Sequence, residues 1–132
     1  MAGESTTKLS SLFQVNMPVK DIDRAIGFYR DTLGLPFYAR RGSLAFLGVG
    51  RVRLLLEVLE EEDGRYNHPG SVLYFSVTDI DAAYWDLPGR GVEFVHAPEM
   101  VSKNDRNEIW MAFFSDGEWN THAITADVPI VG

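Results

Sequence analysis

The chain contains no cysteine among its 132 residues. That excludes disulfides, thiolate metal sites and a cysteine nucleophile. Basic residues are scarce: 12 lysines and arginines stand against 19 aspartates and glutamates, for a net charge of −7. An acidic balance of that size argues against nucleic acid and anionic membrane surfaces as partners, both of which select a basic face. No apolar run reaches membrane-spanning length, and no basic-then-apolar secretory start is present. Only three histidines occur, His68, His96 and His122, with no Ser-His-Asp order and no glycine-rich phosphate loop. These absences together predict a cytoplasmic protein of one domain, with a flexible N-terminus over residues 1–11.

What is present is a repeat. Val19-Lys20-Asp21-Ile22-Asp23 recurs as Val77-Thr78-Asp79-Ile80-Asp81. Each copy follows an apolar alternating run, Leu12 to Val19 and Val72 to Val77. Each precedes a helical pattern, then a glycine and a second extended run, at Gly34-Leu35-Pro36-Phe37 and Gly91-Val92-Glu93-Phe94. Two copies are too few for a solenoid, so the copies must close on one another.

In the first half, Asp21 or Asp23 caps a helix whose apolar stripe is Ile22, Ala25, Ile26, Tyr29 and Leu33, ended by Gly34. Pro18 belongs at a strand end or on an edge. Strands are predicted near 35–40, 43–48 and 51–59. In the second half, Asp79 caps a helix carrying Ile80, Ala83, Tyr84 and Leu87, which Pro88-Gly89 ends early. Strands are predicted at 91–96, 109–114 and 120–126, with 98–107 as a polar connection. The order is β-α-β-β-β, twice: a first module over 12–60, a linker over 61–70, and a second module over 71–127. The expected fold is α+β, a curved mixed sheet around a cavity with the helices outside.

The stretch Asp21-Ile22-Asp23-Arg24-Ala25-Ile26-Gly27-Phe28-Tyr29-Arg30-Asp31-Thr32-Leu33-Gly34-Leu35 resembles the first-helix signature of the glyoxalase/bleomycin resistance/dioxygenase group, the vicinal oxygen chelate superfamily. The stretch from Trp110 to Ala123 resembles that family's closing strand, turn and strand. The resemblance covers residues 12–126 and implies the fold. It leaves open lyases, epimerases, dioxygenases, thiol transferases and drug-binding proteins.

Metal-dependent members implied by this resemblance hold a divalent cation (Zn, Ni, Mn, Fe or Mg) on four side chains, one from the first and one from the last strand of each module. The matching positions here are Gln14, Glu57, Val72 and Ala123. Two of the four are aliphatic, so the sequence favours a cavity without a metal cofactor. A slip of one residue in the last strand would bring His122 to the ligand position in place of Ala123.

Glu57 lies in the apolar run Leu54-Leu55-Leu56-Glu57-Val58 and is the candidate catalytic residue, as a general base, or a hydrogen-bond acceptor for ligand; the bland alternative turns it to solvent at a sheet end. Gln14, Asn16, Glu57, Val72, Tyr74, Trp110, Trp119 and Ala123 form the expected ligand cavity. Trp119 stands where the family turn carries glycine, which predicts an altered or strained turn. His122 is expected to face the helix as a hydrogen-bonded core histidine, and His68 and His96 to lie at the surface. Two function classes follow: a small-molecule-binding protein without the complete metal site, or an enzyme of lyase/isomerase or dioxygenase-like type, metal-dependent or using Glu57 as general base. The expected partners are a small molecule and a second copy of the chain.

Overall fold

The computed structural model describes residues 7–58 and 70–130. The repeated aspartates act as helix N-caps in nearly the same geometry. Asp21 (φ −130°, ψ 111°) accepts from the Arg24 N–H at 3.2 Å, and Asp79 (φ −134°, ψ 102°) from the Ala82 N–H at 3.0 Å. Each cap is worth about 1 kcal/mol.

The first cap opens α1, Ile22–Ile26, which continues as a π-helical segment over Gly27–Thr32. There the Leu33 N–H reaches back to the Phe28 carbonyl at 2.9 Å. The wider turn aims adjacent side chains, Phe28 and Tyr29, both inward. Gly34 follows at φ +78°, a backbone conformation glycine adopts without strain. The second cap opens α2, Ile80–Asp86, extended by a 3₁₀ turn over Leu87–Arg90 and stopped at Gly91, φ +101°.

The first module supplies β1 (Gln14–Val19), β2 (Phe37–Arg41), β3 (Leu44–Val49) and β4 (Val52–Val58). They lie in the order β1-β4-β3-β2, with β1 parallel to β4 and the other pairs antiparallel. The second supplies β5 (Tyr74–Ser76), β6 (Glu93–Phe94), β7 (Glu99–Lys103), β8 (Asn107–Ser115) and β9 (Thr121–Pro129). Their order, β5-β9-β8 with β6 and β7 both on β8, repeats the first plan. Pro18 sits in β1, an edge strand, where its missing donor costs no ladder bond.

Two sequence expectations change, and a third is not reached. The polar connection predicted at 98–107 contains β7; all five of its residues are exposed, so Glu-Met-Val-Ser-Lys shows no apolar alternation. The single curved sheet is two sheets, four- and five-stranded, with no pairing between β1 and β5 among the described residues. The linker expected at 61–70, with His68, lies outside the described residues except for Gly70.

Each sheet packs one face. In the first, Met17, Val19, Ala45, Leu47, Leu54 and Leu56 bury against Ile22, Ala25, Ile26 and Tyr29. In the second, Ala112, Phe114, Ile124 and Ala126 bury with Ile80 and Leu87. Phe28 and Leu33 pack against both cores. The helix of the first module therefore lies between the packed faces of the two sheets, and both open faces turn away from it.

Candidate functional site

Strand alternation sorts the predicted residues. Because Leu54 and Leu56 face the core, Arg53, Leu55 and Glu57 share the open face of β4. Gln14 and Asn16 share it on β1, opposite Arg53 and Leu55, and Phe46 shares it on β3, opposite Leu55. The Asn16 amide donates to Glu57 Oε1 at 3.0 Å. The other oxygen of Glu57 has no partner among the described residues. Glu57 is half-buried rather than turned fully to solvent.

At the other end of the same face stands Arg53, a residue the sequence reading missed. Its guanidinium carbon lies 4.7 Å from the Phe46 ring centroid and 5.3 Å from that of Phe13. Its Nε is buried without a hydrogen-bond partner. Tyr38 folds its hydroxyl end over Gly48, the β3 residue paired with Arg53; a Cβ at Gly48 would overlap it. The signal for Arg53 was available, since alternation along β4 puts it on the face of Leu55 and Glu57.

Val72, Tyr74 and Ala123 belong to the second sheet. Tyr74 is exposed and meets Phe113 edge-on at 6.0 Å, and Ala123 is buried between the strands that carry them. Val72 is exposed just before β5. Trp110 departs from its expected cavity position. It has the parity of Ala112 and Phe114, packs against the core beside α2, and donates its indole N–H to Glu108 at 3.1 Å.

Of the four positions that the resemblance assigns to a metal, Gln14 and Glu57 lie on one open face and the donorless Val72 and Ala123 on the other sheet. Among the described residues no three His, Asp or Glu side chains gather as a metal would require. Only two of the four positions carry a donor atom.

His122 occupies the packed face, with no exposed surface, and the register leaves Ala123 on the open face. The Leu73 N–H donates to His122 Nδ1 at 3.1 Å, which fixes the proton of the neutral ring on Nε2. That nitrogen lies 2.8 Å from Tyr29 Oη, which in turn donates to Asp116 Oδ2 at 2.6 Å. Burial pushes the His122 ionisation below its ordinary value, partly opposed by the nearby Asp116 charge. Burial, reinforced by the Asp116 and Glu118 charges, pushes the Tyr29 phenol well above its ordinary range.

Asp116 is the hub of the closing turn. It also accepts from the backbone N–H of Glu118 and Asn120 and from the Asn120 amide. Glu118 turns its carboxylate onto the Lys20 and Asp21 N–H groups, at 2.7 and 3.1 Å, at the start of α1. Trp119 between them adopts φ +72° with 81% of its surface exposed, under the Lys20 ammonium. The altered turn expected there is present, and Trp119 lies at the surface.

A groove of about 310 Å³ opens where α1 meets the second sheet, lined by Arg24, Phe28, Thr32, Glu93, Ser115 and Gly117 among others. It lies on the helix side, and neither Asn16 nor Glu57 borders it. His96 stays near the surface, its Nδ1 2.7 Å from the Ala97 carbonyl.

The comparisons agree with this architecture. Residues 11–119 match the model of the Glyoxalase/Bleomycin resistance protein/Dioxygenase superfamily, and the chain belongs to that superfamily. An uncharacterized protein, YraH of Bacillus subtilis (strain 168), is 29% identical over 124 residues, covering 83% of this chain and 92% of its own. A lactoylglutathione lyase from Agrobacterium tumefaciens is similar in structure, with TM-score 0.70, 20% identity, and 91% and 96% of the two chains covered. A virulence protein from Salmonella typhimurium matches with TM-score 0.74, 22% identity, and 92% and 100% covered. At these identities the structural likeness speaks to the fold.

Proposed function

We propose that the protein binds a small organic molecule on the open face of its first sheet, without a resident metal. The observation that carries this reading is the Asn16–Glu57 pair: a half-buried carboxylate on an apolar face, steadied by one amide, with its second oxygen free for a ligand. Gln14 adds a polar group on the same face, and Phe46 and Leu55 supply the apolar floor. The face is open in one chain, so a second copy completes the pocket. The first-sheet face of one protomer meets the second-sheet face, with Val72, Tyr74 and Ala123, of its partner. The exposed Phe13, Tyr38, Tyr74 and Met100 support such pairing, since exposed apolar surface of this kind marks interaction sites. A cytoplasmic location belongs to the same reading.

Elemental analysis of the purified protein tests the metal clause, with no stoichiometric metal expected. One transition metal per chain, lost in Glu57→Gln, would sink the reading. Light scattering tests the homodimer, and a monomer at all concentrations would remove it.

A second reading keeps Glu57 as a general base. The same free oxygen favours it, because a base needs one lone pair for the substrate proton while a fixed donor holds the carboxylate in place. Turnover lost in Glu57→Gln, with ligand affinity kept, would select it over simple binding.

A further inference from the structure

We propose that Arg53 is the anion-binding residue of the first open face, and that the ligand is a small organic monocarboxylate with an apolar body. The inference rests on the reading that this face binds a ligand, and it adds the ligand's charge and orientation.

Every side-chain ion pair described uses Arg24, Arg30, Arg40, Arg90 or Lys103 with an acidic neighbour. Arg53 has no carboxylate and no hydrogen-bond acceptor among the described residues, although part of its guanidinium is buried. A buried donor left unpaired costs about 1–3 kcal/mol, more for a charged group. That cost is removed when the side chain turns outward and presents its N–H groups to an acceptor. Two aromatic rings, Phe46 and Phe13, lie beside the guanidinium and hold it in place. Neither ring competes for its N–H groups as a hydrogen-bond acceptor, which leaves them for a carboxylate, gripped through two parallel N–H bonds.

The neighbours set the rest of the ligand. Gln14 is paired with Arg53 across β1, and Tyr38 lies over Gly48, the residue paired with Arg53 on β3, so both belong to the same end of the face. Glu57 stands four residues along the same strand, about 13 Å away by strand rise. The surface between them is Leu55 and Phe46. One guanidinium balances a monoanion, whereas a dianion such as phosphate would keep a second charge with no cation of this face beside it. An apolar body would cover Leu55 and Phe46, and a hydroxyl or amine at the far end would reach Glu57 and Asn16.

The test uses the full-length protein, isotope-labelled, with benzoate as the probe and benzamide as its neutral counterpart, followed by NMR at low ionic strength. Benzoate is expected to shift the amides of Gln14, Phe46 and Arg53 saturably, and to bind about tenfold or more tightly than benzamide, the worth of a charge-assisted hydrogen bond. Arg53→Gln is expected to abolish the preference, and Arg53→Lys, which keeps the charge without the fork, to retain part of it. The native comparison of the two probes stands by itself if Arg53→Gln does not fold.

Equal binding of the two probes, or a preference surviving in Arg53→Gln, would overturn the role of Arg53. Saturable benzamide binding would then leave the ligand-binding reading intact. Absence of saturable shifts on this face from either probe would sink both. A dimer that dissociates in Arg53→Gln, with no benzoate preference in the native protein, would mean that the arginine pairs with a second copy, and the proposal fails.

Discussion

Tyr29 Oη stands 2.6 Å from Asp116 Oδ2, and through that bond the helix of the first module is tied to the closing turn of the second. The same hydroxyl meets His122, so one oxygen serves two buried partners. Tyr29→Phe keeps the ring and strands both. The expected cost is about 2 kcal/mol, the price of unpaired buried polar groups. Urea unfolding followed by circular dichroism would show it as a lower midpoint at unchanged slope. An unchanged midpoint would mean the latch adds no stability.

Stability should fall on the acid side because His122 is held neutral. Its folded-state ionisation lies below the ordinary 6.5. Between those values the unfolded chain takes up a proton that the folded chain refuses. The contribution is therefore fully present above pH 6.5 and is lost as pH falls through the folded-state value, by at most about 1.4 kcal/mol per pH unit. Denaturation midpoints across pH 5–8, flatter in His122→Gln, would check this.

An alkaline limb follows from Tyr29. Burial beside Asp116 raises its phenol above the ordinary 10.0. The unfolded chain then loses its proton first, and stability falls as pH rises above 10. Tyr29→Phe removes that limb. A native slope identical to that of the variant would refute the assignment.

Trp119 holds φ +72°, a strained conformation for any residue with a Cβ. Trp119→Gly relieves the strain and Trp119→Ala retains it, while both lose the contact with Lys20. The glycine variant should be more stable than the alanine variant by about 1 kcal/mol. Paired thermal melts decide it, and the opposite order would show that the turn is unstrained.

Gly48→Ala tests the shape of the open face. The added methyl displaces Tyr38, whose ring is exposed, so global stability should stay within about 1 kcal/mol of the native value. The Tyr38 ring resonances should move and benzoate affinity should change. Unchanged resonances would show that Tyr38 does not lie over this strand.

The duplication was legible because its cause is local. Asp21 and Asp79 cap helices through their own side chains, and Gly34 and Gly91 take left-handed backbone at the same point of each module. Strand parity likewise placed His122 inward and Ala123 outward. Trp110 was misplaced because its parity with Ala112 and Phe114, which puts it on the packed face, was not applied to it. The strand β7 was illegible because an exposed edge strand needs no apolar alternation. The π-helical turn and the relation of the two sheets were also illegible, since both depend on packing between residues distant in sequence. Arg53 went unnoticed because its meaning lies in the partner it lacks.

Asn120 holds three parts of the chain at once. Its amide donates to the Pro18 carbonyl and to Asp116, and its side-chain oxygen accepts from the Gly70 N–H. The protein has two hydrophobic cores, yet β1, the segment leading into β5 and the closing turn all end on this one side chain. The consequence is cooperativity: loosening either core pulls on a side chain that the other also holds, so the two halves are expected to melt in one calorimetric transition.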